Sequence, residues 1–268
     1  MLISMRHSQY VGLRTLAIIL LASGIGCAAI TVPAAGADGQ AAITPVPRSD
    51  QWWQDRHAAI VPRAAKGGVD LIFIGDSITQ GWEGQGKDIW QQRYAPRNAI
   101  NLGFSGDRTQ HVLWRLEHGE IDFPAEARPK LAVVMIGTNN SNGNDHTAEE
   151  IAQGMDRVVT TLRTKLPQTR VLLLAVFPRG EKPNPQREKN AKASELASMV
   201  ADGKMVHYLD IGSRFTDEHG RISPDIMPDY LHLSAKGYEI WAEAIEDKVR
   251  ELMGEQRGAE SRPAPSTK

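Results

Sequence analysis

The stretch LIFIGDSITQGW, residues 71–82, decides how the rest of the chain is read. Leu71, Ile72, Phe73 and Ile74 form an unbroken apolar run, which suits a strand buried on both faces, and Gly75 ends it. Asp76 and Ser77 follow at once, so a carboxylate and a hydroxyl stand at the mouth of a deeply apolar strand. Four more runs share its character: NAINLG (98–103), KLAVVMIG (130–137), RVLLLAV (170–176) and MVHYLDI (205–211).

Helical patterns fall between these runs, around 107–118, 147–166 and 186–202, and an amphipathic helix is expected over 234–253. A first helix is expected over QWWQDRHAAIVPRAA, capped by Ser49 or Asp50. Trp52, Trp53 and Ile60 would form its buried side, with Pro62 ending or kinking it. Strands apolar on both faces, alternating with helices, require a parallel sheet covered on both sides. The expected fold class is therefore α/β, a flavodoxin-like three-layer α/β/α sandwich with a parallel sheet of about five strands.

The chain has 268 residues and a formal net charge of −1, enough length for one large domain and no basic field to hold nucleic acid. Its single cysteine, Cys27, allows no internal disulfide. Arg6 and Arg14 precede the apolar run TLAIILLASGIGCAAITV (15–32), and Ala35-Gly36-Ala37 supplies a small-residue cleavage pattern. Residues 1–37 thus read as a secretory signal peptide, with an uncleaved N-terminal membrane anchor as the alternative. Export to the periplasm or the extracellular space is expected, with membrane contact only if that segment is retained. Residues 38–48 read as a linker, 49–253 as the domain and 254–268 as a disordered tail.

In an open parallel sheet, ligands bind just beyond the carboxyl ends of the strands. Those ends carry Asp76-Ser77, GFSGDRT (103–109), Gly137-Thr138-Asn139-Asn140 and FPRG (177–180), and Asp229-Tyr230-Leu231-His232 precedes the last helix. A hydroxyl nucleophile, an imidazole base, a carboxylate to orient it and amide donors for an oxyanion are thereby brought to one rim. Each has an ordinary reading beside this one. Ser77 is in a position where a helix cap or turn residue is common, and Asp229 could cap the last helix, although Ser234 could do that equally well. Gly103 and Gly106 could serve only to turn the chain, and Asn139 could close an Asx turn. The other histidines share no metal-ligand spacing, Asp107-Arg108 and Glu181-Lys182 read as solvated loop charges, and Trp82, Trp90, Trp114 and Trp241 read as packing residues.

The blocks FIGDSITQ, NLGFSGDRTQHVLWRL, VVMIGTNN and DYLHLSAKGY, in that order, resemble the SGNH (GDSL) hydrolase superfamily. GDRTQHVLWRLEHGE, FPRGEKPNPQREKN and IMPDYLHLSAKGY are similar to the catalytic subunits of Ib-type platelet-activating-factor acetylhydrolases. The resemblance spans roughly 50–250 and implies a serine acylhydrolase that uses neither metal nor cofactor. By position it makes Ser77 the nucleophile, His232 the general base and Asp229 its orienter. The oxyanion donors would be the backbone N–H groups of Ser77 and Gly106 and the side-chain amide of Asn139. Two departures bear on the substrate: the apparent export signal, and Arg108 where a small residue is familiar.

The expected reaction is hydrolysis of a short-chain, acetyl-type ester, with an O-acetylated carbohydrate or an acetylated phospholipid as substrate. Branched side chains at Ile78, Thr138 and Leu231 would crowd the acyl side and bind it. A metallophosphoesterase would need His and Asp ligands at strand ends that are missing before Gly75, and an α/β-hydrolase would want Gly where Thr79 stands. A non-catalytic binding or assembly protein on the same fold is the alternative from another class. The resemblance also raises a homodimer.

Overall fold

A computed structural model describes residues 40–255. Five parallel strands form one sheet: β1 (Leu71–Gly75), β2 (Ala99–Gly103), β3 (Leu131–Met135), β4 (Arg170–Leu174) and β5 (Val206–Leu209), in the spatial order β2-β1-β3-β4-β5. Along β1 the side chains alternate between two cores, as the two-residue period of a strand demands. Ile72 and Ile74 pack with Trp53, Val112, Leu113, Ile151, Met155 and Val158 on one face. Leu71 and Phe73 pack with Trp82, Tyr94, Trp241 and Ile245 on the other. The three-layer α/β/α sandwich is therefore the observed architecture, with its sheet apolar on both sides.

Helices α1 (Gln51–Ala65), α4 (Thr109–Glu117), α5 (Ala148–Lys165) and α6 (Pro185–Ala197) supply the first face. The short helices α2 (Ser77–Gln80) and α3 (Lys87–Arg93) and the last helix α7 (Ala235–Met253) supply the second. Phe73 lies at the centre of that second layer, its ring 4.7 Å from Tyr94, 5.2 Å from Trp90 and 6.2 Å from Trp241. The tryptophans expected to pack, Trp82 and Trp241, are fully buried there. Among the described residues no helix is long and apolar enough to cross a membrane.

Several expectations need correction. Trp52 is 41% exposed, because consecutive helical residues point about 100° apart and Trp53 takes the inward direction. Pro62 lies inside α1, which continues to Ala65. Asp50 occupies the N-cap position of α1 without capping it; its carboxylate pairs with Arg48 at 3.0 Å instead. Part of the expected linker is packed down: Ala42 is buried, its carbonyl accepts from Thr109 Oγ1 at 2.7 Å, and Val46 N–H donates to the Gln110 carbonyl at 3.2 Å. The expected signal segment, 1–37, and residues 256–268 of the expected tail lie outside the described residues.

The end of β1 is tightly enclosed. A Cβ on Gly75 would lie 2.1 Å from Thr79 Oγ1 and 2.3 Å from the Met135 carbonyl oxygen, and that oxygen belongs to the backbone of the neighbouring strand. Gly75→Ala should therefore cost about 1–3 kcal/mol of stability by overpacking, seen as a lower urea midpoint at unchanged slope.

Candidate active site

Ser77 leaves β1 as the first residue of α2, and Asp76 is the residue that folds this turn. Asp76 Oδ1 accepts the Ile78 N–H at 3.0 Å, and the Tyr238 hydroxyl donates to the Ile78 carbonyl at 2.6 Å from α7. Asp76 therefore braces the turn from its own side chain. Its carboxylate is fully buried, and Oδ2 has no hydrogen-bond partner among the described residues. Burial pushes this carboxyl up to about 7 against the pull of the Ile78 N–H.

Ser77 Oγ lies 2.9 Å from His232 Nε2, and His232 Nδ1 donates to Asp229 Oδ2 at 2.6 Å. Asp229 Oδ1 accepts two backbone N–H groups, from Leu231 at 3.0 Å and His232 at 2.7 Å. Partial burial raises the Asp229 carboxyl, but these hydrogen bonds outweigh it and hold the group below its ordinary value. Tyr230, between the two, adopts φ +59°, a left-handed conformation that costs a residue with a side chain about 1–2 kcal/mol. Its carbonyl accepts the Gly180 N–H at 2.7 Å, which ties this loop to the one after β4. Ser234 caps α7 by accepting the Gly237 N–H at 3.2 Å, so Asp229 is not needed as a cap.

Gly106 lies in the turn after β2, closed by the Asp107 N–H to the Phe104 carbonyl at 3.1 Å. Its φ of +77° suits the third position of a type II turn, where glycine is the unstrained choice. Asn139, after β3, donates its Nδ2 to the Asp107 carbonyl at 2.9 Å, so its amide is anchored beside Gly106. Asn140 is buried next to it and crosses between the same loops: its Oδ1 accepts the Thr109 N–H at 3.0 Å and its Nδ2 donates to Thr109 Oγ1 at 3.0 Å. Arg108 also joins them, Nη2 to Asp145 Oδ2 at 2.5 Å.

Ser77, Gly106, Asn139, Asp229 and His232 thus lie around one rim. An open cleft of about 500 Å³ reaches Ser77 and His232, lined further by Gln80, Gly81, Glu83, Gly84 and Ser105. Of the three residues expected on the acyl side, Ile78 and Thr138 are buried and Leu231 is half-buried. Thr138 is held from the interior, its carbonyl and hydroxyl each accepting from Arg179 Nη1 at 3.2 Å. Burial lowers the Arg179 pKa, opposed by the charges of Asp76 and Asp229.

A serine hydroxyl on an imidazole, with the imidazole on a carboxylate, can pass the hydroxyl proton to the ring and so make a nucleophile. Residues 73–240 match the model of the GDSL-like lipase/acylhydrolase family. The chain belongs to that family. It is a carboxylic ester hydrolase, and its curated relatives include the platelet-activating factor acetylhydrolase IB subunit alpha1 of Bos taurus, 38% identical over 219 residues, 81% of this chain and 91% of the relative. The fold is shared with Est24, a carbohydrate acetylesterase from Sinorhizobium meliloti (TM-score 0.53, 24% identity, 69% of this chain and 99% of that one). It is shared too with Axe2, an acetylxylan esterase from Geobacillus stearothermophilus (TM-score 0.54, 20% identity, 72% and 97%).

Sequence reasoning misjudged Asp107, which is fully buried rather than solvated. Its Oδ1 accepts from Trp53 Nε1 and its Oδ2 from Arg115 Nε, both at 2.8 Å. Arg115 also pairs with the buried Glu120, and Glu120 Oε1 lies 3.2 Å from His57 Nδ1. The one available signal was the eight-residue offset from Asp107, just ahead of α4, to Arg115 within it.

The raised Asp76 carboxyl predicts a pH effect on stability. Between about pH 4 and pH 7 the folded state keeps a proton that an unfolded aspartate has released, so stability falls as pH rises through this window. Asp76→Asn retains the acceptor for Ile78 and lacks this ionisation. Its stability relative to wild type should increase from pH 4 to pH 7, by on the order of 1–3 kcal/mol in urea titrations at each pH.

Proposed function

We propose that this chain is a serine esterase that removes short acyl groups, acetyl above all, through Ser77, His232 and Asp229. The observation that carries this reading is the unbroken path from Ser77 Oγ to His232 at 2.9 Å and on to Asp229 at 2.6 Å. Ser77 Oγ attacks the acyl carbonyl while His232 Nε2 takes its proton. The developing oxyanion meets the Ser77 and Gly106 backbone N–H groups and the Asn139 amide, each such donor being worth about 3–4 kcal/mol in the transition state. His232 then protonates the leaving alcohol, and a water molecule follows the same route to free the acid and regenerate Ser77.

The cleft favours an O-acetylated carbohydrate as substrate. Beyond the reacting groups it is lined by an amide, a carboxylate, a hydroxyl and two glycines, at Gln80, Glu83, Ser105, Gly81 and Gly84, which suits a polyhydroxylated alcohol. Among the described residues no Lys or Arg lines the cleft, and both Glu83 oxygens are held by Arg56, so a phosphate would find no free Lys or Arg there. Acetylated phospholipid is the second reading, favoured by the name of the 38% identical relative. Ile78, Thr138 and Leu231 would limit the acyl pocket to short chains. Export is proposed on the signal-like sequence of residues 1–37; a homodimer is proposed on the relatives alone.

Hydrolysis of p-nitrophenyl acetate by the full chain tests the chemistry. Activity should survive EDTA and fall at least 1,000-fold in Ser77→Ala, on the scale known for triad nucleophiles; equal rates in the two proteins would return Ser77 to the status of a turn residue. His232→Ala should lose activity on the same scale as Ser77→Ala, since triad members act as a unit. A variant within tenfold of wild type would remove His232 from the role of base. p-Nitrophenyl esters of increasing chain length should be turned over progressively more slowly than the acetate, and faster cleavage of octanoate would refute the short-pocket assignment.

A further inference from the structure

Asp107 takes no part in the steps above, yet more of the surrounding structure converges on it than on any residue that does. It follows Gly106 directly, and its own carbonyl holds the Asn139 amide at 2.9 Å. Two of the three donors proposed for the oxyanion, Gly106 and Asn139, are therefore attached to one residue, by the chain on one side and by a hydrogen bond on the other. Its carboxylate is fixed from two elements, by Trp53 Nε1 of α1 and Arg115 Nε of α4, each at 2.8 Å. Arg115 is itself buried, packed 3.9 Å from the Phe104 ring centroid and paired with Glu120.

A third element reaches the same loop from outside. Arg48, from the stretch ahead of α1, donates Nη1 to the Ser105 carbonyl at 2.6 Å and lies 3.6 Å from Asp107 Oδ1. A Cβ on Gly106 would lie only 2.9 Å from that Nη1, so the guanidinium is seated directly over the turn. Arg48 lies outside residues 73–240, the part of the chain that matches the family model.

We propose that Asp107 and Arg48 are positioning residues for the oxyanion donors: Asp107 sets Gly106 and Asn139 at a common distance from the reacting carbonyl, and Arg48 clamps the turn that carries them. This rests on the assignment of Ser77, Gly106 and Asn139 above. A mobile turn would still bind the ground-state ester, whose carbonyl carries little charge, but would meet the alkoxide poorly. The loss should thus fall on kcat rather than on KM.

The test compares Asp107→Asn and Arg48→Gln with wild type and Ser77→Ala, as full chains, on p-nitrophenyl acetate. Both variants should lose about 10- to 100-fold in kcat with KM changed less than threefold, the scale expected of misplaced rather than missing donors. The inhibition constant of a trifluoromethyl ketone, whose carbonyl carbon accepts Ser77 Oγ to give a tetrahedral alkoxide, should rise in proportion. A purely structural role would lower the urea midpoint without that parallel. If Asp107→Asn does not fold, the partly exposed Arg48 decides alone. Rates within twofold of wild type, or a change confined to KM, overturn the proposal while an inactive Ser77→Ala keeps the esterase reading. An active Ser77→Ala overturns both.

Discussion

The constraint on which the rim depends is the position of β1 between β2 and β3, in a register that leaves their carboxyl ends level. Gly75 is paired with Gly103 on one side and Met135 on the other. The loops that follow these three strands have no choice but to be neighbours, and they carry Ser77, Gly106 and Asn139. Glycine at both Gly75 and Gly103 lets α2 sit directly on the strand ends; a Cβ on Gly103 would lie 2.2 Å from the Gln80 nitrogen. The placement of a hydroxyl beside two amide donors is thus a property of sheet order first and of loop sequence second.

Charge is distributed unequally around that rim. On the side of Gly106 and Asn139, Asp107, Arg115 and Glu120 are all buried. Burying such a group of ions seldom adds net stability, since desolvation offsets the attraction, but removing one member strands the others and typically costs about 3–5 kcal/mol. The network is therefore hard to distort by small steps, and the turn of Gly106 and the anchor of Asn139 rest on it. On the opposite side the Asp229 and His232 side chains are about half exposed. Their orientation in water comes from local hydrogen bonds to Asp229 Oδ1 and from the left-handed Tyr230, not from low dielectric.

How much of this was legible in the sequence follows from where each signal is stored. The central strands β1, β3 and β4 were, because a strand buried on both faces is a near-continuous apolar run, while the edge strands β2 and β5, only partly buried, showed as shorter apolar stretches around Asn101 and His207. The Asp-x-x-His spacing was legible too, because its hydrogen bonds close within four residues. Asp107 was not. Its partners lie 54 residues before it and eight after it, and in GFSGDRT nothing local distinguishes a buried carboxylate from a solvated one. The cleft wall at Gln80–Gly84 was equally hidden, since helical pieces of three or four residues are too short to show a period. Arg48 and Ala42 belong to a stretch whose Pro and small residues resemble a linker, and only the tertiary contacts reveal it as part of the domain.

The two halves of the site are therefore built by different means and touch at few points. Ser77, Gly106 and Asn139 are delivered by the sheet, and the turn of Gly106 is stiffened by a buried ionic network. His232 is delivered by a loop folded on its own hydrogen bonds and anchored by Met227 and Leu233 in the second core, the 2.9 Å contact with Ser77, the Gly180–Tyr230 hydrogen bond and the cap of α7. Substitutions near Tyr230 can consequently move the imidazole without disturbing Gly106 or Asn139, and substitutions around Asp107 can disturb the donors without moving the imidazole. The cleft opens along Gln80, Glu83 and Ser105, between α2 and the turn of Gly106. Side chains there can change without touching the Ser77–His232–Asp229 hydrogen bonds or the buried charges. The wall of the cleft is thus free to vary while the sheet keeps the strand-end loops in place.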